Sequence, residues 1–250
     1  MMPTAEINET EMYYELRGKG SPLLMIMGWT ANLDWWPETL LRGLEKKHRL
    51  ILFDNRGTGR TQNAAGCYSI SQFAGDAAAL LRFLEIEQAH VFGVSMGGMI
   101  AQELTIRHPE RVDKLILGCT SPGSKKGKII NPGSLWFLIR HARKKPFGIN
   151  DLLLQLLFSR DTSHVTPEHK EFIRRINRYP IKTLVRWKQF WAVLCFNRFD
   201  HLTRIKHPTL VITGSLDYMM HPRNSSILAS QIPNSMLVNL EDCSHAFLSD

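Results

Sequence analysis

The chain of 250 residues is long enough to bury one large core, and α/β architectures of this size commonly stay undivided. No apolar run approaches the roughly 18 residues that a membrane span requires, and the opening MMPTAEINET has neither the basic nor the apolar segment of a secretory signal, so a cytoplasmic protein without stable membrane insertion is expected. The formal charge of +8 is concentrated between positions 121 and 207, where 18 Lys and Arg stand against 5 Asp and Glu; the short basic clusters there lack the motif set of a nucleic-acid module, so no nucleic-acid partner is expected.

Strand and helix signals alternate along the chain. Ile7 to Leu16 reads as an antiparallel hairpin, and Leu23 to Gly28 and Arg49 to Phe53 read as buried strands. Ser69 and Gln72 have capping-box spacing at the start of a helix that ends near Leu84, with Phe73, Ala77, Leu80, Leu81 and Leu84 on one face. Ala89 to Val94 is a strand that runs straight into a helix from Met96 to Arg107, and Lys114 to Cys119 is the sixth strand. Two more follow, Pro208 to Gly214 and Ser235 to Leu240.

This alternation predicts an α/β fold with a mostly parallel central sheet flanked by helices. Residues 121–207 match neither the alternation nor a crossover length; they are predicted to form a helical cap, or lid, inserted after the sixth strand, with 1–120 and 208–250 as the core. Leu152, Leu153, Leu156 and Leu157 recur at helical spacing there, as do Leu184, Trp187, Trp191 and Leu194, and both apolar faces are expected to turn toward the sheet's catalytic edge. Cys67, Cys119, Cys195 and Cys243 show no paired spacing and no zinc-type cluster, so no metal site is expected, and Cys119 and Cys195, in apolar runs, read as buried free thiols.

The chemistry begins at Gly93-Val94-Ser95-Met96-Gly97, on the predicted strand-to-helix junction. A serine on so sharp a turn leaves no room for neighbouring side chains, and Gly93, Gly97 and Gly98 supply that room. The unpaired N–H groups of the new helix, that of Met96 included, then point toward an anion forming beside Ser95. A nucleophilic serine needs a base, and the base needs a partner that fixes its tautomer. Asp217 and His245 each follow the C-terminal end of a predicted strand, and in an open parallel sheet such loops share one edge with Ser95.

The chain order Ser95, Asp217, His245, together with the elbow, resembles the α/β-hydrolase fold superfamily over nearly the whole sequence, in particular its capped single-domain serine hydrolases of the esterase type. Leu23 to Gly28 followed by Trp29 resembles the strand and oxyanion loop that many members write His-Gly-x, with Met27 in place of the histidine. The resemblance implies an oxyanion hole made by the backbone N–H groups of Trp29 and Met96. Asp54-Asn55-Arg56-Gly57-Thr58-Gly59-Arg60 resembles the family's Asp-x-Arg-Gly-x-Gly turn, which shapes the fold near the site and is not catalytic.

The implied activity is cleavage of a small carboxylic ester or lactone through an acyl-enzyme on Ser95, with no cofactor. Lactonases, thioesterases and carbon-carbon bond hydrolases use the same machinery on this fold. Haloalkane dehalogenases and epoxide hydrolases place an aspartate where this chain has Ser95, and the glycine- and proline-rich oxyanion loop of proline peptidases is missing around Gly28. Trp136, Trp187 and Trp191 of the cap are expected to line the substrate pocket. The fold normally continues into a terminal helix after the histidine, whereas five residues follow His245 here. That predicts either a homo-oligomer in which a neighbouring chain covers the open surface, or a mobile last loop with His245 poorly fixed. A non-catalytic ligand-binding protein on the same fold is the rival reading.

Overall fold

The computed structural model describes residues 3–61, 65–123, 125–127, 157 and 174–249. An antiparallel hairpin of β1 (Thr4–Ile7) and β2 (Thr10–Arg17) opens the fold. Its two-residue turn, Asn8 and Glu9, has φ of 46° and 62°, the left-handed pair whose twist matches that of the flanking strands. Six strands follow: β3 (Ser21–Ile26), β4 (His48–Phe53), β5 (Ala89–Val94), β6 (Val112–Gly118), β7 (Thr209–Gly214) and β8 (Ser235–Leu240). They form one sheet in the order β1-β2-β4-β3-β5-β6-β7-β8, antiparallel through β4 and parallel from β4 to β8.

Helices α1 (Glu38–Leu44), α2 (Ile70–Phe83), α3 (Met96–Arg107), α4 (Thr183–Leu194) and α5 (Arg223–Gln231) flank the sheet or join its strands. The central strands are apolar on both faces because both are covered. In β3, Leu24 and Ile26 join the core beneath α2 and α3, whereas Leu23 and Met25 join a second cluster with Trp36 and Leu41. The predicted cap of α2 is present, with Ser69 Oγ accepting from the Gln72 N–H at 3.1 Å. Chain direction across the sheet reverses between β3 and β5, since β4 lies on one side of β3 and β5 on the other. A ligand crevice is expected at that switch point, beyond the strands' C-terminal ends.

The Asp54 to Arg60 turn ties several elements to this crevice. Arg56 donates Nε and Nη2 to the two carboxylate oxygens of Asp76 on α2, each at 2.7 Å, with both side chains almost wholly buried. Asp54 accepts from the Leu33 N–H at 2.8 Å and the Arg60 N–H at 2.7 Å, and Asn55 Nδ2 donates to the Met27 carbonyl at 3.1 Å. Burial pushes the Asp54 carboxyl up to about 6 despite those backbone donors.

The insertion between β6 and β7 leaves and rejoins the core at a closed root. Gly123 bridges Asn197, and the Arg198 N–H donates to the Pro122 carbonyl at 2.9 Å. The expected inward face of α4 is corrected by the structure: Leu184, Trp187 and Trp191 are 62%, 56% and 60% exposed, while Val185, Gln189, Ala192 and Val193 are buried. Hydropathy pointed to the wrong side because the buried stripe carries a glutamine, whose amide oxygen accepts a hydrogen bond described below. Cys195 continues the outer stripe one turn beyond Trp191 and is exposed, against the expectation of a buried thiol; Cys119 is buried as expected. Leu152, Leu153 and Leu156 lie outside the described residues. No helix among the described residues is long and apolar enough to cross a membrane.

Arg198 also clasps Glu103 of α3 through Nε and Nη2, and Ser71 and Arg107 donate to the same carboxylate at 2.5 Å each. Burial acts to raise the Glu103 carboxyl, but the hydrogen bonds from Arg198, Ser71 and Arg107 outweigh it and hold it at about 2, against an ordinary 4.5. A depressed carboxyl stabilises the fold above its ordinary pKa and loses that contribution as pH falls toward its folded value. Glu103→Gln is therefore expected to cost about 3 kcal/mol at pH 7, in urea denaturation, and progressively less between pH 4.5 and 2.

Candidate active site

Ser95 sits between β5 and α3 with φ 57° and ψ −122°, a conformation that a residue bearing a Cβ adopts only when its surroundings enforce it. Its N–H donates to the Gly118 carbonyl at 2.8 Å, and its carbonyl accepts from Thr120 Oγ1 at 2.6 Å. A Cβ on Gly93 would overlap the Gly97 carbonyl, and one on Gly97 would overlap the backbone oxygens of Ile26 and Met27 on the neighbouring strand. The glycines are thus required because backbone meets backbone there. As the first residue of α3, Met96 has an N–H with no intrahelical acceptor. Gly28 approaches Ser95 so closely that an added Cβ would lie 3.0 Å from the serine Cβ, which brings the Gly28-Trp29 loop beside the hydroxyl.

Asp217 and His245 meet from loops after β7 and β8. Asp217 Oδ2 accepts from His245 Nδ1 at 2.8 Å, and Oδ1 accepts from the N–H groups of Met219 and Met220, both at 2.8 Å. With Nδ1 protonated toward the carboxylate, Nε2 is the basic nitrogen of the ring. Asp217 is 2% exposed and His245 5%, so the imidazole is buried, with its Nδ1 held by the carboxylate. Ser95 and His245 line one cavity of about 80 Å³, with no direct hydrogen bond between them. Its other walls include Met27, Trp29, Val94, Leu157, Met219 and Leu248, an apolar lining around the serine and the imidazole. Leu157 comes from the insertion, and its carbonyl accepts from the Ala246 N–H at 3.0 Å.

The structure therefore brings together Ser95, Asp217, His245, Trp29 and Met96. It does not bring in Trp187 and Trp191, which stand on the outer stripe of α4 and line no part of this cavity. Trp136 lies outside the described residues. Cys119 joins the site unannounced: its sulfur lies within 4.8 Å of ligand atoms of both Asp217 and His245, making the one metal-compatible trio among the described residues. Burial and the adjacent Asp217 push its thiol well above the ordinary range. Both Asp217 oxygens are already occupied, so the trio reads as a hydrogen-bonded array. Gln189 was also missed; the signal was a lone polar residue in the helical stripe Val185, Gln189, Ala192, Val193.

This arrangement on this sheet defines the architecture of the α/β hydrolases. A family model for the alpha/beta hydrolase fold matches residues 21–250, and the chain belongs to that family. It is 27% identical, over 98% of its length and 92% of the relative's, to a provisionally named carbamate hydrolase, RutD, of Azorhizobium caulinodans. It is 28% identical to the pimeloyl-[acyl-carrier protein] methyl ester esterase of Nitrosospira multiformis, covering 97% of this chain and 95% of the relative. Among solved structures, the enol-lactonase of Burkholderia xenovorans LB400 superimposes with a TM-score of 0.81 at 26% identity, covering 98% of this chain and 93% of that one. These relatives are hydrolases.

Because the space at Gly97 is closed by main-chain atoms that no rotamer change relieves, Gly97→Ala is expected to lower Tm by roughly 4–8 °C in calorimetry, the effect of about 2 kcal/mol of overpacking.

Proposed function

We propose that the chain is a serine hydrolase that cleaves carboxylic esters. Ser95 Oγ attacks the carbonyl carbon while its proton passes to His245 Nε2. The tetrahedral oxyanion is held by the N–H groups of Trp29 and Met96, and Asp217 stabilises the imidazolium. Collapse expels the alcohol, which takes the proton from His245, and leaves an acyl group on Ser95. Water activated by the same imidazole then releases the acid and regenerates the hydroxyl. The observation that carries this reading is the Asp217 to His245 hydrogen bond at 2.8 Å, at the edge of the cavity that Ser95 also lines.

Residues 121–207 act as the cap in this reading, closing the cavity with Leu157 and keeping water from the acyl group. The apolar walls suit a short alkyl or acyl chain. A lactone is a cyclic ester and needs no different groups, and the likeness to an enol-lactonase favours including it among the substrates tested.

A fluorophosphonate probe is expected to label Ser95 stoichiometrically, with the modified peptide mapped by mass spectrometry and labelling lost in Ser95→Ala. Folded protein that takes up no probe would refute the reading. Asp217→Asn is expected to lower kcat on 4-nitrophenyl esters by about 10³-fold or more, since the amide favours the wrong imidazole tautomer.

A further inference from the structure

We infer that Gln189, on the helix contributed by the insertion, is a positioning residue for the oxyanion loop; the inference rests on the hydrolase reading above. The loop Gly28-Trp29-Thr30 is held from two sides. From the core, Asn55 Nδ2 donates to the Met27 carbonyl at 3.1 Å, and Gly28 lies against Ser95. From the insertion, Gln189 Oε1 accepts from the Thr30 N–H at 2.9 Å, and the Trp29 indole Nε1 donates to the Arg186 carbonyl at 3.1 Å. The rings of Trp29 and Phe190 pack with centroids 5.9 Å apart.

Thr30 has φ of 66°, a left-handed conformation that a β-branched residue avoids unless something fixes it. The peptide that carries the Trp29 N–H joins Gly28 to Trp29, and the next peptide carries the N–H that Gln189 holds. Fixing the second peptide and the indole fixes the orientation of the first. Gln189 is fully buried, and its amide nitrogen has no partner among the described residues. A buried amide with one end unpaired is costly, so the acceptor bond to Thr30 is the interaction that accounts for a glutamine at this point of the helix. The loop that stabilises the oxyanion is thereby set by a side chain of the insertion, and α4 and the oxyanion hole form one mechanical unit.

The test uses the whole chain with 4-nitrophenyl butyrate, comparing wild type, Gln189→Met, which keeps the volume but removes the acceptor, and Gln189→Glu, which keeps an acceptor oxygen. Gln189→Met is expected to lower kcat roughly 10- to 100-fold with KM within about threefold, as for partial loss of an oxyanion donor, and Gln189→Glu is expected to recover most of the rate. The inhibition constant of a trifluoromethyl ketone, whose adduct carries the oxyanion, should rise by the factor by which kcat/KM falls. A purely structural role would lower stability without this match. A folded Gln189→Met enzyme with wild-type kcat, or a Gln189→Glu enzyme as slow as Gln189→Met, overturns the inference while Ser95 labelling stands. Should the Met variant fail to fold, Gln189→Asn, which withdraws the acceptor by one methylene, must show the same kcat loss, and wild-type kcat in that folded variant equally overturns it. Wild-type protein that neither labels at Ser95 nor turns over ester removes both the hydrolase reading and this inference.

Discussion

The rest of the site depends on the close approach of the first turn of α3 to the end of β3. Ser95 occupies its strained conformation because its N–H and carbonyl are held by Gly118 and Thr120 on the next strand and its extension, while Gly97 allows α3 to pass against the oxygens of Ile26 and Met27. That contact places the start of a helix, with its unpaired N–H groups, beside the loop that leaves β3. Because the strand order reverses between β3 and β5, no crossover covers this edge, and a cavity can open there.

Around this junction the support is polar and buried. The Asp54 to Arg60 turn holds Leu33, Met27 and α2 by hydrogen bonds from its buried side chains, so the loops after β3 have fixed anchor points. Such groups are costly to bury alone and hold their geometry because every partner is present. The clasp of Arg198 on Glu103 extends the same device to the root of the insertion, joining its exit to the helix that begins at Ser95.

The Asp217 and His245 half of the site is built differently. Asp217 and His245 come from separate loops, and their alignment follows from the parallel pairing of β7 with β8, which brings both strand ends to one level. Asp217 is fully committed as an acceptor, to two backbone N–H groups and one imidazole. A carboxylate so bound has little freedom to rotate, which is what fixing a histidine tautomer requires. Cys119 closes the back of this pair from the end of β6, with φ of 43° and a thiol kept protonated by its surroundings.

The amino-acid sequence by itself determined the alternation of strands and helices, the bounds of β3 to β8 to within two residues, the capped helix at Ser69 and the chain order of Ser95, Asp217 and His245, while the opening hairpin begins at Thr4, three residues before the expected Ile7. These are local: glycine spacing, apolar periodicity and strand-end loops are written in neighbouring residues, and parallel pairing then limits where the loops fall. Only the tertiary structure decided which side of α4 faces inward, that Cys195 is outside and that Cys119 adjoins the Asp217 and His245 pair. Hydropathy favoured the stripe Leu184, Trp187 and Trp191, yet the helix buries Gln189, whose amide oxygen accepts from a backbone N–H some 160 positions away. A partner that distant leaves no local trace, so the side chain joining the insertion to the Gly28-Trp29-Thr30 loop was not legible until the fold brought the two together.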